Sequence, residues 1–392
     1  MKVAYYSPLP PETSGIADYS ALLLPALRER IEVEVVKRGR TRPPRGTDVS
    51  LYHVGNSPEA HGWIVDALRR RPGVVVLHEL VLHHLVAGIT IGRKDGRGYL
   101  DALERDAGLP ARLLGHGVLE GRVPPLWETR PEDFPLAGGI LDAATGLIVH
   151  SRYVEEGARR LVYAGPLWRI PHPAWPTPAV EPAQVDGSPV VGCFGHLNAS
   201  KRIPQLLRGF ARLPQSARLV LVGPVSPRYD LDAALEKAGL AGSPRVLREQ
   251  YVPEERLWAL MAACDVLVSL RAPTMGETSG SVMRALSLGK PLVVSDIGWF
   301  SELEGVAKLP VGEGEVEALA AALAEPPPGV RAGPEHDVEP VAERYVAALE
   351  QAAGGEAVRE AVYREVAQAA AAVGLEDTSE LSSGLREVGL GQ

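Results

Sequence analysis

The 392-residue chain has only two cysteines, Cys193 and Cys264, and each lies inside an apolar run. Thiols in such settings read as small buried side chains, which excludes a disulfide framework and a cysteine-based metal site. Lysine is scarce as well: seven lysines stand against 34 arginines, so a lysine placed in a loop carries more information than usual. No run of about 18 apolar residues occurs to form a membrane-spanning helix. Residues 1–7 read as an immediate β-strand rather than a charged leader before an apolar stretch. The expected location is therefore the cytoplasm, with membrane contact at most peripheral. No Asp-x-Asp pair stands directly after a strand to hold a divalent cation beside a diphosphate. His78-Glu79 is similar to the start of a metalloprotease helix, but position 82 is Leu where a second zinc ligand is needed, so no metal is expected. The formal net charge of −8 argues against a broad nucleic-acid surface, because phosphate backbones are bound through accumulated Lys and Arg.

What is present is ordinary globular composition, 45% apolar and 23% charged, in a chain of 392 residues. That length exceeds what one hydrophobic core organises, so two domains are expected. Short apolar runs at 3–7, 33–36, 49–54, 74–78 and 147–150 alternate with helical patterns, the signature of a parallel sheet. A second series restarts at 190–194, 219–222, 266–270 and 292–295. Between the series, six prolines fall within 171–189, a composition that neither helix nor central strand accepts, and an interdomain linker is expected there. The fold class is α/β, with two Rossmann-like, doubly wound parallel-sheet domains at 1–172 and 188–332 facing a central cleft. A helical tail at 333–392 follows. Within it, Val338, Val341, Tyr345 and Leu349 recur at intervals of three and four, so one apolar stripe suits this helix to cross back to the first domain. An Ala-rich helical segment occupies about 356–373, and the polar run 379–392 reads as a loosely held end.

Three loops carry the chemistry. The first strand leads into a Pro- and Gly-rich loop ending at Gly15, where a helix opens and its free N–H groups favour an anion. The second series opens the same way: strand 190–194 is followed by Gly195-His-Leu-Asn-Ala-Ser-Lys-Arg, with His196, Lys201 and Arg202 placed to neutralise phosphate at the next helix start. Further on, Arg271-Ala-Pro-Thr-Met-Gly-Glu-Thr-Ser-Gly precedes a helix, with Thr278 and Ser279 as capping candidates. There the Glu277 carboxylate can accept hydrogen bonds from sugar hydroxyls. In the first domain, the segments around Tyr52-His-Val-Gly-Asn and Val76-Leu-His-Glu follow the third and fourth strands and bring several histidines to neighbouring strand ends.

The order of these loops before Ala285-Leu-Ser-Leu-Gly-Lys-Pro-Leu-Val-Val-Ser-Asp resembles the retaining glycosyltransferases of family 4, most specifically over 190–296. The resemblance implies the GT-B fold and transfer of a sugar from a nucleoside-diphosphate sugar to an acceptor, a glycan, lipid or small molecule that the sequence does not identify. The nucleotide sugar is a co-substrate, and no cofactor is implied. Carried over, His78, Lys201 and Glu277 are catalytic. Gly15, His196, Lys201, Arg202, Ser279 and Gly280 bind the donor diphosphate, and Glu277 and Thr278 bind the donor sugar. Asn56, His61 and His83 line the acceptor side in the first domain. Two positions depart from the pattern: His196 stands where the family has Arg, and Arg284 replaces a second Glu that commonly holds the ribose. A GT-B nucleotide-sugar epimerase and a nucleotide-sugar-binding protein with a degenerate site are the other readings. The oligomeric state is not legible.

Overall fold

The computed structural model describes residues 1–372; the end expected at 379–392 lies outside them. The two series of apolar runs form two parallel sheets. In the first, β1 (Lys2–Tyr6), β2 (Glu32–Val35), β3 (Val49–Val54), β4 (Gly73–Leu77), β5 (Ala144–Val149) and β6 (Leu167–Arg169) lie in the order β2-β1-β3-β4-β5-β6. Every residue of β3 and β4 is buried, as helices on both faces of a parallel sheet require, and this is why these strands read as unbroken apolar runs. In the second, β7 (Val190–Phe194), β8 (Arg218–Val222), β9 (Val246–Glu249), β10 (Val266–Ser269), β11 (Leu292–Ser295) and β12 (Ala307–Leu309) take the order β12-β11-β10-β7-β8-β9. The expected α/β class with two doubly wound parallel sheets is what the structure shows. Strands β6, β9 and β12 have no counterpart in the sequence reading. Each is a short edge strand containing a charged residue and only partly buried, so none carries a continuous apolar run.

The strand order reverses beside the first strand of each sheet, between β1 and β3 and between β7 and β10. Helices leave the sheet in opposite directions at such a point, so the loops at the strand carboxyl ends open a crevice for ligand. The loops that matter are therefore those after β1 and β3 in one sheet and after β7 and β10 in the other.

The chain forms two compact units, Met1–Pro171 with the segment from Glu339, and His172–Val338. The proline-rich segment is coil, as its composition demands, but it is no free linker. It belongs to the second unit, where Ala174 N–H donates to the His336 carbonyl at 2.7 Å, Thr177 Oγ1 to the Ser287 carbonyl at 2.8 Å and Ala183 N–H to the Ala259 carbonyl at 2.9 Å. The helix Val338–Gly354 buries Val341, Ala342, Tyr345, Ala348 and Leu349. From Glu339 on it is part of the first unit. Tyr345 Oη meets Tyr19 Oη at 2.7 Å, Trp168 Nε1 donates to Gln351 Oε1 at 2.8 Å and Glu339 pairs with Arg30 at 2.6 Å. Among the described residues no helix is long and apolar enough to cross a membrane.

Candidate functional site

At the switch point of the second sheet, β7 ends at Phe194 and the chain turns through Gly195 with φ +90°. That left-handed conformation favours glycine, and a Cβ there would also stand 2.9 Å from Lys201 Nζ. Asn198 orders the loop by accepting from Ser200 Oγ at 2.8 Å and from the Lys201 N–H at 3.2 Å, a local side-chain-to-backbone turn. The result is a lysine folded inward: Lys201 is 4% exposed and its Nζ donates to the Phe194 carbonyl. Burial pushes its pKa down to about 8; the nearby Arg271 acts in the same direction, and the Cys193 and Glu277 side chains oppose it.

Across the switch point, β10 ends at Ser269 and the loop that follows is organised by Glu277. Its Oε1 accepts from Arg271 Nε at 2.7 Å, and its Oε2 accepts from the Met275 N–H at 2.7 Å and from Thr274 Oγ1 at 3.2 Å. The Arg271 N–H in turn donates to Ser295 Oγ at the end of β11, at 2.9 Å. Thr278 is half-buried. Ser279 caps the helix Gly280–Leu288, accepting from the Val282 N–H at 3.4 Å, and Gly289 in a left-handed conformation ends it. This cap leaves first-turn N–H groups at the helix start, where an anion is favoured. Lys201 after β7, and Arg271 and the Gly280 helix start after β10, thus stand on either side of one switch point, with Glu277 holding Arg271.

Two expected phosphate ligands are placed differently. Arg202 adopts φ +52° and turns its guanidinium onto Glu315, a carboxylate only 1% exposed, so it neutralises a buried charge and is not presented beside Lys201. His196 is exposed, but partial burial, Lys201 and Arg271 all lower its pKa below the ordinary value of 6.5. It is uncharged at neutral pH, and the cations are Lys201 and Arg271. Arg271 has no role in the motif pattern of the sequence, and its one local signal is its place as the first charged residue after a strand end.

One turn into the same helix, the Arg284 guanidinium lies 3.8 Å from the centroid of the Trp175 ring and 3.8 Å from Glu254 Oε1. Beside it is a cavity of about 480 Å³ lined by Trp175, Pro176, Pro178, Glu254, Glu255 and Trp258 among others. A Cβ on Gly280 would stand 3.3 Å from Trp175, so this cavity borders the helix start. Trp175 lies in the proline-rich stretch, which its composition disguised as linker.

In the first unit, Ser14 caps the helix Gly15–Arg28, accepting from the Ala17 N–H at 3.0 Å. A Cβ on Gly15 would meet nothing within 4 Å, so the protein leaves that helix start open. The register Leu77↔Val149 sets His78 and His150 side by side after β4 and β5, their rings 5.1 Å apart, and His53 of β3 places Nδ1 3.0 Å from His78 Nε2. Tyr19 packs edge-on against His78 at 4.8 Å and lies 5.2 Å from His150. Burial lowers the pKa of His53 well below 6.5 and that of His150 to about 4. His150 escaped the sequence reading, although it ends the fifth apolar run just as His78 ends the fourth.

The expected acceptor-side residues are corrected in part. His83 is fully buried, with Nδ1 2.8 Å from the Phe134 carbonyl and Nε2 2.9 Å from Tyr99 Oη, so both nitrogens are spent inside the core. His61 is 2% exposed and its Nδ1 lies 3.1 Å from the His53 carbonyl. Asn56 ties the loop together, its N–H donating to Glu79 Oε1 at 3.1 Å and its Oδ1 accepting from the Leu85 N–H at 3.0 Å. Among the described residues no group of three or more His, Cys, Asp or Glu side chains is arranged to hold a metal ion.

Residues 188–325, within the second unit, match the family model described as Glycosyl transferases group 1. No curated protein matches the chain. Among solved structures it is similar to sucrose-phosphate synthase from Thermosynechococcus elongatus, at 17% identity over 94% of this chain and 99% of that one, with a TM-score of 0.55. It is similar to Anabaena Alr3699/HepE in complex with UDP-glucose, at 17% identity over 90% and 98%, with a TM-score of 0.53. A third is AviGT4, a glycosyltransferase involved in avilamycin A biosynthesis, at 20% identity over 90% and 98%, with a TM-score of 0.51. At these identities the likeness shows the fold, the two-sheet GT-B arrangement of glycosyltransferases.

Proposed function

We propose that the chain is a metal-independent, retaining glycosyltransferase of the family 4 type that works in the cytoplasm and takes a nucleoside-diphosphate sugar as donor. The observation that carries this reading is the buried Lys201 after β7 and the Glu277-held Arg271 and Gly280 helix start after the neighbouring β10, inside the segment that matches the Glycosyl transferases group 1 model. The departing diphosphate gains negative charge as the anomeric carbon gains positive character, and preformed cations and N–H dipoles stabilise that charge without reorganising. Glu277 aims Arg271 and leaves Lys201 as the surplus cation. Gly15 leaves its backbone open to a ligand in the first unit, to which the acceptor is assigned. The donor supplies the leaving group, and no cofactor is needed.

The nucleoside end of the donor is assigned to the Trp175–Trp258 cavity. Indole and proline faces suit a base, and the exposed Glu254 and Glu255 carboxylates suit the vicinal hydroxyls of ribose. The carboxylate missing at position 284 is thereby supplied from position 254, with Arg284 held on Trp175.

The experiment is a thermal-shift and turnover screen with UDP, GDP, ADP, dTDP, their sugars and inorganic pyrophosphate, in EDTA throughout. One nucleoside diphosphate is expected to raise the melting temperature more than pyrophosphate does, since a ligand bound only to the native state stabilises it by mass action, and its sugar is expected to be transferred. Stabilisation by none would remove the donor site. Equal stabilisation by pyrophosphate would take the nucleoside out of the tryptophan cavity, and turnover that returns only with a divalent metal would end metal independence. Release of a free epimerised sugar without acceptor, or tight binding without turnover, would replace transfer by epimerisation or by sensing.

Lys201 gives the binding a pH dependence with a definite sign. Free Lys201 holds its proton below about pH 8; a bound diphosphate raises that pKa, so above it binding must take up a proton. Affinity for the nucleoside diphosphate is expected to be flat from pH 7 to about 8 and then to fall roughly tenfold per pH unit. Titration calorimetry in two buffers of different ionisation enthalpy reads the proton uptake directly. A wild-type profile that stays level to about pH 9.5 would place the diphosphate away from Lys201.

A further inference from the structure

His53 is the most enclosed member of the histidine cluster. Its ring is fully buried, 4.7 Å from that of Tyr5 and 5.9 Å from that of Tyr19. Its Nδ1 lies 3.0 Å from His78 Nε2, and its other nitrogen, Nε2, is buried with no hydrogen-bond partner among the described residues. Burial, with His150 and His61 nearby, keeps the ring uncharged, so it carries one proton on one nitrogen.

That single proton decides the chemistry of the neighbour. If it sat on His53 Nε2, a buried N–H would have no acceptor, and His78 would have to donate from its own Nε2. If it sits on His53 Nδ1, the proton lies in the 3.0 Å contact and the unpartnered atom is only a lone pair. A buried donor without an acceptor is rarer and costlier than an under-used acceptor, so the second arrangement prevails. We infer that His53 is a positioning residue that holds His78 in its Nδ1–H tautomer, so that His78 acts on its ligand as a hydrogen-bond donor and not as a base.

The tautomer stands on the 3.0 Å contact, the unpartnered His53 Nε2 and the burial that keeps His53 uncharged; its meaning for the reaction rests on the glycosyl-transfer reading. His78 Nε2 is occupied by the His53 proton, and its Nδ1 already carries one, so no lone pair on this ring can accept the proton of an acceptor hydroxyl. In the transfer, the anomeric C–O bond to the diphosphate breaks and a C–O bond to the acceptor forms. The acceptor proton goes to a diphosphate oxygen, and His78 can only donate. The same cluster fixes the ring from its other side, because Tyr19, bonded to Tyr345 at 2.7 Å, packs edge-on against it.

The test is spectroscopic first. In protein labelled with 15N-histidine, the His78 resonances are those missing from His78→Gln among the ten histidines, and two-bond proton–nitrogen correlations report which nitrogen is protonated. At pH 7.5 a protonated Nδ1 and a bare Nε2 are expected; the reverse tautomer, or an imidazolium, overturns the inference. His53→Asn, whose amide puts a donor where Nδ1 stood, is expected to keep this signature and a kcat near wild type. His53→Phe fills the space without a donor and is expected to mix the tautomers and lower kcat about tenfold with KM little changed, because the hydrogen bond on one ring nitrogen sets the state of the other. A His53→Phe protein with unaltered tautomer and kcat also overturns it. Should His53→Phe not fold, the wild-type spectrum still decides. Absence of sugar transfer would defeat the functional reading without touching the tautomer, so the two failures are separable.

Discussion

Lys201→Ala is expected to lower kcat by about 10²- to 10³-fold while the chain stays folded. The size follows from the loss of one preorganised donor aimed at developing negative charge, about 2.7–4 kcal/mol of transition-state stabilisation. The direction for folding follows from burial. Lys201 is 4% exposed, and its ammonium is held mainly by the Phe194 carbonyl, with its pKa driven down to about 8, so the folded chain carries this charge at a cost. Removing it relieves that cost and gives up one hydrogen bond, two changes of opposite sign and similar size. Melting temperature without ligand should therefore move little, while the stabilisation conferred by a nucleoside diphosphate, and the fall in its affinity above pH 8, should disappear. Wild-type turnover in Lys201→Ala would mean that the diphosphate is neutralised elsewhere.

The loop after β7 was legible because its information is local. A glycine at a strand end, an Asn-Ala-Ser turn and a lone lysine in an arginine-rich chain lie within seven residues, and each does in the structure what its type does best. Glu277 was legible as a residue of interest but not in its contacts, since its partners Arg271, Thr274 and Met275 reach it only when the loop doubles back. Arg202 misled for the opposite reason. Beside Lys201 it reads as a second phosphate cation, but Glu315, 113 residues on, claims it, and no local pattern records that distance. His83 was misplaced because a histidine at the start of the helix shortly after β4 looks the same whether Tyr99 and Phe134 enclose it or a ligand meets it. The strands that form the sheet centres could be read from apolar runs, whereas β6, β9 and β12 lie at edges, are only partly buried and are too short to register.

The last described helices make the second large effect. A chain ending at Asp337 is expected to lose the native first unit, because the helix Val338–Gly354 buries Val341, Tyr345 and Leu349 to 0% exposure. Fully burying a large apolar side chain contributes about 1.5–3 kcal/mol. Three of them, with their partners on the first unit newly exposed, reach the size of the whole stability of an ordinary domain, about 5–15 kcal/mol. Two point variants separate packing from hydrogen bonding within that total. Tyr345→Phe removes only the 2.7 Å contact with Tyr19 Oη and should cost about 1 kcal/mol. Tyr345→Ala also opens a cavity in a core that cannot fully collapse around it and should cost about 3–5 kcal/mol. Urea unfolding followed by near-ultraviolet circular dichroism reads both, and Tyr345→Ala should also broaden the His78 resonances, since Tyr19 no longer has Tyr345 to hold its ring against them. A truncated chain that keeps the wild-type urea midpoint would show that the first sheet is stable without this helix, and that the tyrosine pair only fastens it in place.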